Sequence, residues 1–349
     1  MKKILLLTSS MKIGGAENQI YNIYQCLEEH YEVNLVLLKS SKIKNKNFIE
    51  LNSSKSIFSF FKYIKIVNQL KPDLVISTLP VPNFINAVSS LFIKHEIKTV
   101  CRVAGYYIDS LSYKLIFYFV SRFADACVFN SDSNLNLFKE KFSKSSLKFF
   151  YLPNILNFEN IQTKINSEIK EEWLDKDEYI TGVCVSRLED LKGIDLLIDS
   201  MNLIDDEIIK MIIIGQGSQF DTYNKNLSKN TKLLGFKENP YPYVYKADFY
   251  CQPSRREGMA NSLIEAMSFG KYSIVSDCYG GNKDLVKKYK NGSIFQSGNI
   301  QELAYMIGNI SKELKNTRKI NTVIVNDFSK QSFIKEFEKI AIYLSLSSS

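Results

Sequence analysis

The stretch 251–277, CQPSRREGMANSLIEAMSFGKYSIVSD, determines the predicted fold. The apolar residues at 249–252 predict a buried strand, and Asn261 or Ser262 is a good N-cap for the helix that follows. A second apolar run, at 272–276, predicts another strand. Strand, helix and strand in this order form the repeating unit of a parallel sheet.

The same alternation occurs in two series along the chain. Short runs rich in Val, Ile and Leu are separated by longer segments of helical spacing, which is typical of buried parallel strands joined by helices. The first such helix is predicted from Gly15, with its apolar residues on one stripe. Strands are predicted at 4–8, 33–38, 74–77, 99–103, 126–130 and 147–151, and again at 179–186, 210–215, 231–234, 247–252, 272–276 and 293–295.

The two series predict two domains. The turn residues at 152–154 and the polar stretch 157–170 between the series have the composition of a linker. We therefore expect an α/β protein with two facing, doubly wound Rossmann-like domains: residues 1–155, completed by a C-terminal crossover helix at about 330–349, and residues 156–329. Because open parallel sheets bind ligands beyond the carboxyl ends of their strands, we expect the chemistry in the cleft between the domains.

The net charge of +8 belongs to the first half of the chain. Residues 1–150 contain 20 basic and 11 acidic side chains, whereas the rest contains 25 and 26. This asymmetry predicts an anionic partner for the first domain: nucleic acid, a membrane surface or a phosphorylated substrate. Nucleic acid is disfavoured because no binding motif accompanies the charge.

Basic and aromatic residues of the first domain concentrate at 39–46 and 57–65. Two interpretations are open. These residues form a solvated face with aromatics in the core, or they form a surface that docks on anionic lipid.

The six cysteines are scattered without a C-x-x-C pair, which argues against a zinc site or a disulfide framework. The apolar run at 4–7 is too short for a signal peptide, and no apolar stretch approaches the length of a spanning helix. We expect a cytoplasmic protein, with the cytoplasmic face of the plasma membrane as the alternative. No metal and no cofactor are expected.

Two cations follow the first strand of the second series. Arg187 has a planar fork of donors and Lys192 a compact charge, and together they suit a diphosphate that departs with growing negative charge. The alternative is a solvated loop. Gly215 begins a Gly-x-Gly at the next strand end, and Gly14 and Gly15 precede the first helix; each fits either close approach to a ligand or an ordinary turn.

Two carboxylates flank the helix start at Asn261. Glu257 lies in the loop and Glu265 is expected in the first helical turn, so they suit hydroxyl groups of two different rings. The alternative for Glu265 is a capping box with Ser262. For Glu257 no structural role is expected.

These residues resemble the family 4 glycosyltransferases, retaining enzymes of the GT-B fold that use nucleotide-sugar donors. The resemblance covers nearly the whole chain, through GGAE at 14–17, SRLEDLKG at 186–193, GQG at 215–217, LGF at 234–236 and the motif from Glu257 to Glu265. It implies that Arg187 and Lys192 bind the donor diphosphate, that Glu257 contacts the transferred sugar, and that Glu265 binds the ribose. The other donor contacts that it implies are Gly14, Gly15, Gly215, Gly235, Phe236, Gly258, Met259, Ala260, Asn261 and Ser262.

The expected activity is retaining transfer of a hexosyl or N-acetylhexosaminyl group. The donor is a nucleotide sugar, with UDP favoured, and the acceptor is a glycan or a lipid-diphosphate-linked sugar in surface polysaccharide synthesis, such as O-antigen or capsule. Many relatives carry a His where this chain has STLPVPN at 77–83, so no general base is expected from the first domain. The alternatives are a non-catalytic sugar-nucleotide or glycan-binding partner of another transferase, and a GT-B epimerase or hydrolase acting on a nucleotide sugar.

Overall fold

The computed structural model describes residues 2–11, 15–40, 45–52, 56–105, 110–175, 177–314 and 319–346. The chain divides into two compact units, Met1–Ile155 together with Phe328–Ser349, and Leu156–Asp327. Each unit contains one parallel sheet joined by helices, and in each sheet the strand order reverses near the middle. The predicted class, two doubly wound α/β domains, is confirmed.

The sheet of the first unit has seven strands in the order β3-β2-β1-β4-β5-β6-β7. Its buried strands consist largely of Val, Ile, Leu, Cys and Phe because helices cover them. The strands are β1 (Lys3–Thr8), β2 (Glu32–Leu37), β3 (Phe48–Glu50), β4 (Leu74–Thr78), β5 (Lys98–Val103), β6 (Ala126–Phe129) and β7 (Lys148–Tyr151). The helices between them are α1 (Gly15–Leu27), α2 (Ser56–Leu70), α3 (Pro80–Ser89), α4 (Leu111–Phe123) and α5 (Asp132–Lys141).

The sheet of the second unit has six strands in the order β10-β9-β8-β11-β12-β13. They are β8 (Ile180–Val185), β9 (Ile209–Ile214), β10 (Thr231–Leu233), β11 (Phe249–Gln252), β12 (Tyr272–Ser276) and β13 (Gly292–Phe295). The helices of this unit are α6 (Phe158–Lys164), α7 (Glu172–Asp175), α8 (Ile194–Asn202), α9 (Phe220–Asn224), α10 (Tyr241–Lys246), α11 (Asn261–Ser268), α12 (Asn282–Tyr289), α13 (Ile300–Gly308) and α14 (Thr322–Asp327).

The last helix, α15 (Lys330–Tyr343), belongs to the first unit. Phe333, Phe337 and Ile340 are buried in the same cluster as residues of α1 and β1. The ring of Phe337 also meets the edge of Tyr31, with the centroids 5.7 Å apart. The helix therefore completes the core of the first unit.

Two local predictions were wrong, and one strand was not predicted. The short strand β3 was missed, because three residues at a sheet edge carry no periodic signal. The polar stretch 157–170 is not a plain linker, since α6 lies within it and is capped by the Asn157 side chain. Helix α11 has Ala260 as its N-cap residue rather than Asn261 or Ser262.

Candidate active site

The carboxyl ends of β8 and β11 are neighbours at one edge of the second sheet. The strand order reverses between these two strands, and doubly wound sheets bind ligands at such a switch point. The loops that follow the two strands are joined by hydrogen bonds. The carbonyl oxygen of Leu191 accepts from the backbone N–H of Arg255 at 2.9 Å and of Arg256 at 3.3 Å.

Gly193 permits this close approach. Its φ is 65°, and a Cβ at this position would lie 2.2 Å from the carbonyl oxygen of Pro253. The two loops are also fastened by Arg255, whose guanidinium donates to Asp195 and, at 2.8 Å, to the carbonyl oxygen of Asp190. The loop after β8, which carries Arg187 and Lys192, is thereby held against the loop after β11, which carries Glu257.

Lys192 and Glu257 form an ion pair across the two loops. Lys192 Nζ donates to Glu257 Oε2 at 2.5 Å, and the side chains are 15% and 12% exposed. Ser254 Oγ donates to the same carboxylate oxygen at 3.1 Å. The expectation that Glu257 has no structural role was therefore wrong, since it balances a partly buried lysine.

A chain of polar side chains continues from this pair into the unit. Gln252 Nε2 donates to Ser254 Oγ at 3.0 Å. Tyr250 OH lies 2.9 Å from both Gln252 Oε1 and Ser262 Oγ. Ser262 is thus engaged with side chains and is not the N-cap of α11, so the capping-box alternative for Glu265 was wrong.

Glu265 lies in the second turn of α11 rather than in the first. Its carboxylate is hydrogen-bonded to Tyr241, and burial raises its pKa to about 7, although the Tyr241 bond acts in the opposite direction. Burial, followed by the Glu265 charge, raises the pKa of Tyr241 in turn. Glu265 and Tyr241 thus form a second pair of polar side chains, between the second turn of α11 and the start of α10.

Arg187 is exposed at the end of β8. Within the residues that the structure describes, its guanidinium forms no ion pair or hydrogen bond. Two of the three predicted catalytic residues, Lys192 and Glu257, are therefore in direct contact, and the third presents its donors to solvent.

At the neighbouring strand ends, a close backbone contact requires Gly215 and a positive φ favours glycine at position 235. A Cβ on Gly215 would lie 1.8 Å from the carbonyl oxygen of Ser186, and the Gly215 N–H donates to the carbonyl of Gly235 at 2.9 Å. Gly235 has a φ of 68°, and Phe236 after it is 44% exposed. These residues lie after β9 and β10 on the same edge of the sheet as Ser186.

The loop before α11 is packed against the loop after β12. Gly281 N–H donates to the carbonyl oxygen of Gly258 at 2.5 Å. The Ala260 N–H donates to Asn282 Oδ1 at 3.0 Å. Met259 is buried at 8% exposure. The Ala260 amide, predicted to hold substrate, is thus occupied by Asn282 in this structure.

The remaining predicted site residues belong to the first unit. Gly14 lies outside the described residues, whereas Gly15 is the first residue of α1. Across the described ranges, no cluster of three or more His, Cys, Asp or Glu side chains has the arrangement of a metal site. Among the helices that the structure describes, none combines the length and apolar character needed to span a membrane.

Several polar residues of this site were missed in the sequence. Their positions in the sequence could have indicated them. Gln252 is the last residue of a buried strand, and Tyr250 lies two residues before it on the same face. Tyr241 follows the Gly235 loop at the start of α10. The whole arrangement can bind an anion through Arg187 and hydroxyl groups through Glu257 and Glu265.

Comparisons with known proteins identify related sequences and a shared fold. The family described as glycosyl transferases group 1 matches residues 165–322. A Campylobacter jejuni N-acetylgalactosamine-N,N'-diacetylbacillosaminyl-diphospho-undecaprenol 4-alpha-N-acetylgalactosaminyltransferase is 28% identical over 82% of this chain and 83% of its own. A second C. jejuni enzyme, a GalNAc-alpha-(1->4)-GalNAc-alpha-(1->3)-diNAcBac-PP-undecaprenol alpha-1,4-N-acetyl-D-galactosaminyltransferase, is 24% identical over 84% of each chain.

A solved structure with the same fold is Anabaena HepE in complex with UDP. It covers 98% of this chain and 100% of its own, with a TM-score of 0.81 and 18% sequence identity. The matched residues 165–322 include Arg187, Lys192, Glu257 and Glu265. Residues 165–322 therefore belong to the glycosyl transferases group 1 family, and the chain has the GT-B fold.

Proposed function

We propose that this enzyme transfers a hexosyl or N-acetylhexosaminyl group from a UDP-linked donor to a lipid-diphosphate-linked or glycan acceptor, with retention at the anomeric carbon. The observation that supports it most directly is the set of Arg187, Lys192 and Glu257 at the ends of β8 and β11, where the strand order reverses. The UDP bound to HepE supports the nucleotide. The diphospho-undecaprenol substrates named for the C. jejuni enzymes support the acceptor class.

In this proposal residues 156–329 bind the donor and residues 1–155 bind the acceptor. Arg187 supplies a planar fork without a competing partner among the described residues, which suits bidentate binding of a phosphate. Lys192 gives one N–H to Glu257 and keeps others for a second phosphate oxygen.

Glu257 binds the sugar of the donor. Lys192 and Ser254 both donate to its Oε2, and Oε1 receives no hydrogen bond from the described residues. A hydroxyl of the transferred sugar would donate to Oε1. Lys192 then fixes the carboxylate in place, so that the donor sugar meets a preorganised hydrogen-bond acceptor.

The other predicted contacts hold the nucleotide. Glu265 accepts hydrogen bonds from the ribose hydroxyls, and Gly235 with Phe236 lies beside the base. Gly215 has no side chain, so the backbone can pass close to Ser186 and leave space for phosphate at the edge of the sheet. The remaining contacts are the backbone groups of Gly14, Gly15, Gly258, Met259, Asn261 and Ser262.

Transfer proceeds on the face of the sugar from which the diphosphate departs. The bond between the anomeric carbon and the phosphate oxygen breaks, and its electron pair stays on that oxygen. The acceptor hydroxyl oxygen forms the new bond to the anomeric carbon, and its proton moves to the departing phosphate oxygen. Arg187 and Lys192 stabilise the charge that develops there, and one such preorganised donor contributes about 3–4 kcal/mol.

We also propose that the first unit docks on anionic membrane. Phe58, Phe61, Lys62 and Lys65 occur at helical spacings of three and four and are all exposed, so one face of α2 carries both rings and charges. Phe58 and Phe61 are 58% and 63% exposed. A surface of this composition suits the lipid headgroup region, where a lipid-linked acceptor resides.

The experiment is a panel of UDP- and GDP-linked sugars incubated with the protein, with and without lipid-diphosphate-linked sugar. We expect release of UDP that increases when acceptor is present, together with an α-linked product. Conversion of the donor to an isomeric nucleotide sugar without release would indicate an epimerase. Release unaffected by acceptor would indicate a hydrolase, and binding without turnover would indicate a non-catalytic partner.

A further inference from the structure

Arg102 is a buried cation in the first unit. It lies on β5 at 1% exposure and is among the largest fully buried side chains of the described residues. Burial lowers its pKa to about 10, so the guanidinium still carries its charge at pH 7. Burying such a charge is unfavourable unless an anion or a full set of hydrogen bonds compensates it.

The compensation is incomplete. Arg102 Nη2 donates to Asn154 Oδ1 at 2.6 Å, whereas Nε and Nη1 have no hydrogen-bond partner. No carboxylate of the described residues forms an ion pair with the guanidinium. Several strong donors are therefore left for a further group.

Neighbouring strand ends add two more unused polar atoms. Thr78 is the register partner of Arg102 on β4, and its Oγ1 has no partner. Asn130 follows β6, donates to Asn154 Oδ1 at 3.1 Å and leaves its own Oδ1 without a partner. Thr78, Asn130 and Asn154 are each at most 2% exposed. These three residues and Arg102 are called the Arg102 cluster below.

The cluster lies at the carboxyl edge of the first sheet. Thr78, Arg102 and Asn130 each come two residues after a member of the apolar cluster that contains α1 and α15, namely Ile76, Val100 and Val128. Because strand residues alternate between faces, the three polar residues extend that face to the edge where parallel sheets bind ligands.

The backbone beside the cluster is strained. Leu79, which follows Thr78, has φ 81° and ψ 154°, a region that residues other than glycine rarely adopt. Such strain persists where the surrounding structure enforces it and is concentrated at functional sites.

We propose that the Arg102 cluster is an oxyanion site that binds one phosphate group of the acceptor. Arg102 Nε and Nη1 donate to the phosphate oxygens, and Asn130 Oδ1 accepts from an adjacent hydroxyl of the same molecule. The assignment of this phosphate to the acceptor substrate rests on the proposed function. A sugar carboxylate presents the same oxyanion chemistry, so the experiment includes an arm for each source.

The test is calorimetric titration of the full chain with inorganic pyrophosphate, inorganic phosphate and acetate at constant ionic strength. The variants are Arg102→Met and, as a matched control, Arg122→Met, which removes an exposed arginine of α4. Binding in the second unit is common to all three proteins, so their difference reports the cluster. We expect Arg102→Met to weaken phosphate or pyrophosphate binding at least about tenfold and Arg122→Met to change it less than about twofold.

The outcomes decide the proposal without reference to sugar transfer. Equal dissociation constants for Arg102→Met and the wild type would overturn it, as would absence of saturable phosphate binding by the wild type. An effect confined to acetate would assign the site to a carboxylate and overturn the phosphate assignment. If Arg102→Met fails to fold, Thr78→Val serves instead: it keeps the shape, and we expect it to weaken phosphate binding about threefold or more.

Discussion

Lys192 Nζ lies 2.5 Å from Glu257 Oε2, although the two residues are 65 positions apart in the chain. The contact depends on the loop after β8 lying against the loop after β11, where Gly193 touches the carbonyl of Pro253. The positions of Lys192 and Glu257 in the site therefore depend on each other. Changing either residue affects both stability and the chemistry of the site.

Loss of Lys192 should destabilise the second unit. Lys192→Met leaves Glu257 as an unpaired, partly buried carboxylate, so we expect a loss of about 1–3 kcal/mol in the free energy of unfolding, measured with urea. Adding Glu257→Gln should restore part of it. The control is Lys229→Met at the exposed pair with Glu207, where the expected loss is below about 1 kcal/mol. Equal losses at both pairs would contradict this account.

Gly193 should not tolerate a side chain. Gly193→Ala places a Cβ 2.2 Å from the Pro253 carbonyl oxygen and requires a positive φ, so we expect a loss of at least about 2 kcal/mol in stability and weaker binding of UDP-glucose. Gly308→Ala is the matched control, because a Cβ there meets no atom within 4 Å. Thermal melts compare the two variants, and similar stability would show that the loop contact is unimportant.

Glu265 should make donor binding depend on pH near neutrality. Its pKa is raised from 4.5 to about 7, so the folded chain keeps a proton that the unfolded chain has lost, and this group lowers stability as pH rises from 4.5 to 7. The ribose hydroxyls require the ionised carboxylate as their hydrogen-bond acceptor.

We therefore expect UDP-glucose binding by the wild type to weaken about fivefold from pH 7 to pH 6. The diphosphate of UDP-glucose does not titrate in this range. Glu265→Gln should bind more weakly at pH 8 and show little change with pH. Identical pH profiles of the two proteins, measured by calorimetry, would argue against the ribose contact.

The exposed face of α2 should bind anionic vesicles. Flotation with phosphatidylglycerol and phosphatidylcholine vesicles should show binding that falls with salt, and Phe58→Ala with Phe61→Ala should weaken it about tenfold or more. Tyr305→Ala, which removes a 71% exposed ring from the second unit, is the control. No binding at low salt, or an equal effect of the control, would exclude this surface.

Sequence periodicity was sufficient for the fold because both sheets are parallel and buried. Runs such as Ile209–Ile214 are apolar apart from Lys210, so their strands were recognisable, whereas the edge strand Phe48–Glu50 was too short. The motif resemblance indicated Arg187, Lys192 and Glu257 separately.

The contacts among these residues could not be predicted, since they depend on distant loops. Ser262 is a residue type that often caps helices, yet in α11 its hydroxyl is hydrogen-bonded to Tyr250 of strand β11. Arg102 had a signal that was overlooked: it is a charged residue near the end of the buried strand β5. Only the structure reveals that Nε and Nη1 of this side chain have no hydrogen-bond partner.

The central claim is that Arg187 and Lys192 stabilise the departing diphosphate, and Arg187→Ala tests it most directly. Arg187 is exposed and has no partner among the described residues, so its removal should change stability by less than about 0.5 kcal/mol, as should the control Lys225→Ala. We expect kcat for UDP release, with the donor that the panel identifies, to fall by a factor of about 100–1,000 in Arg187→Ala and to stay unchanged in Lys225→Ala. Wild-type turnover by a folded Arg187→Ala variant would contradict the account.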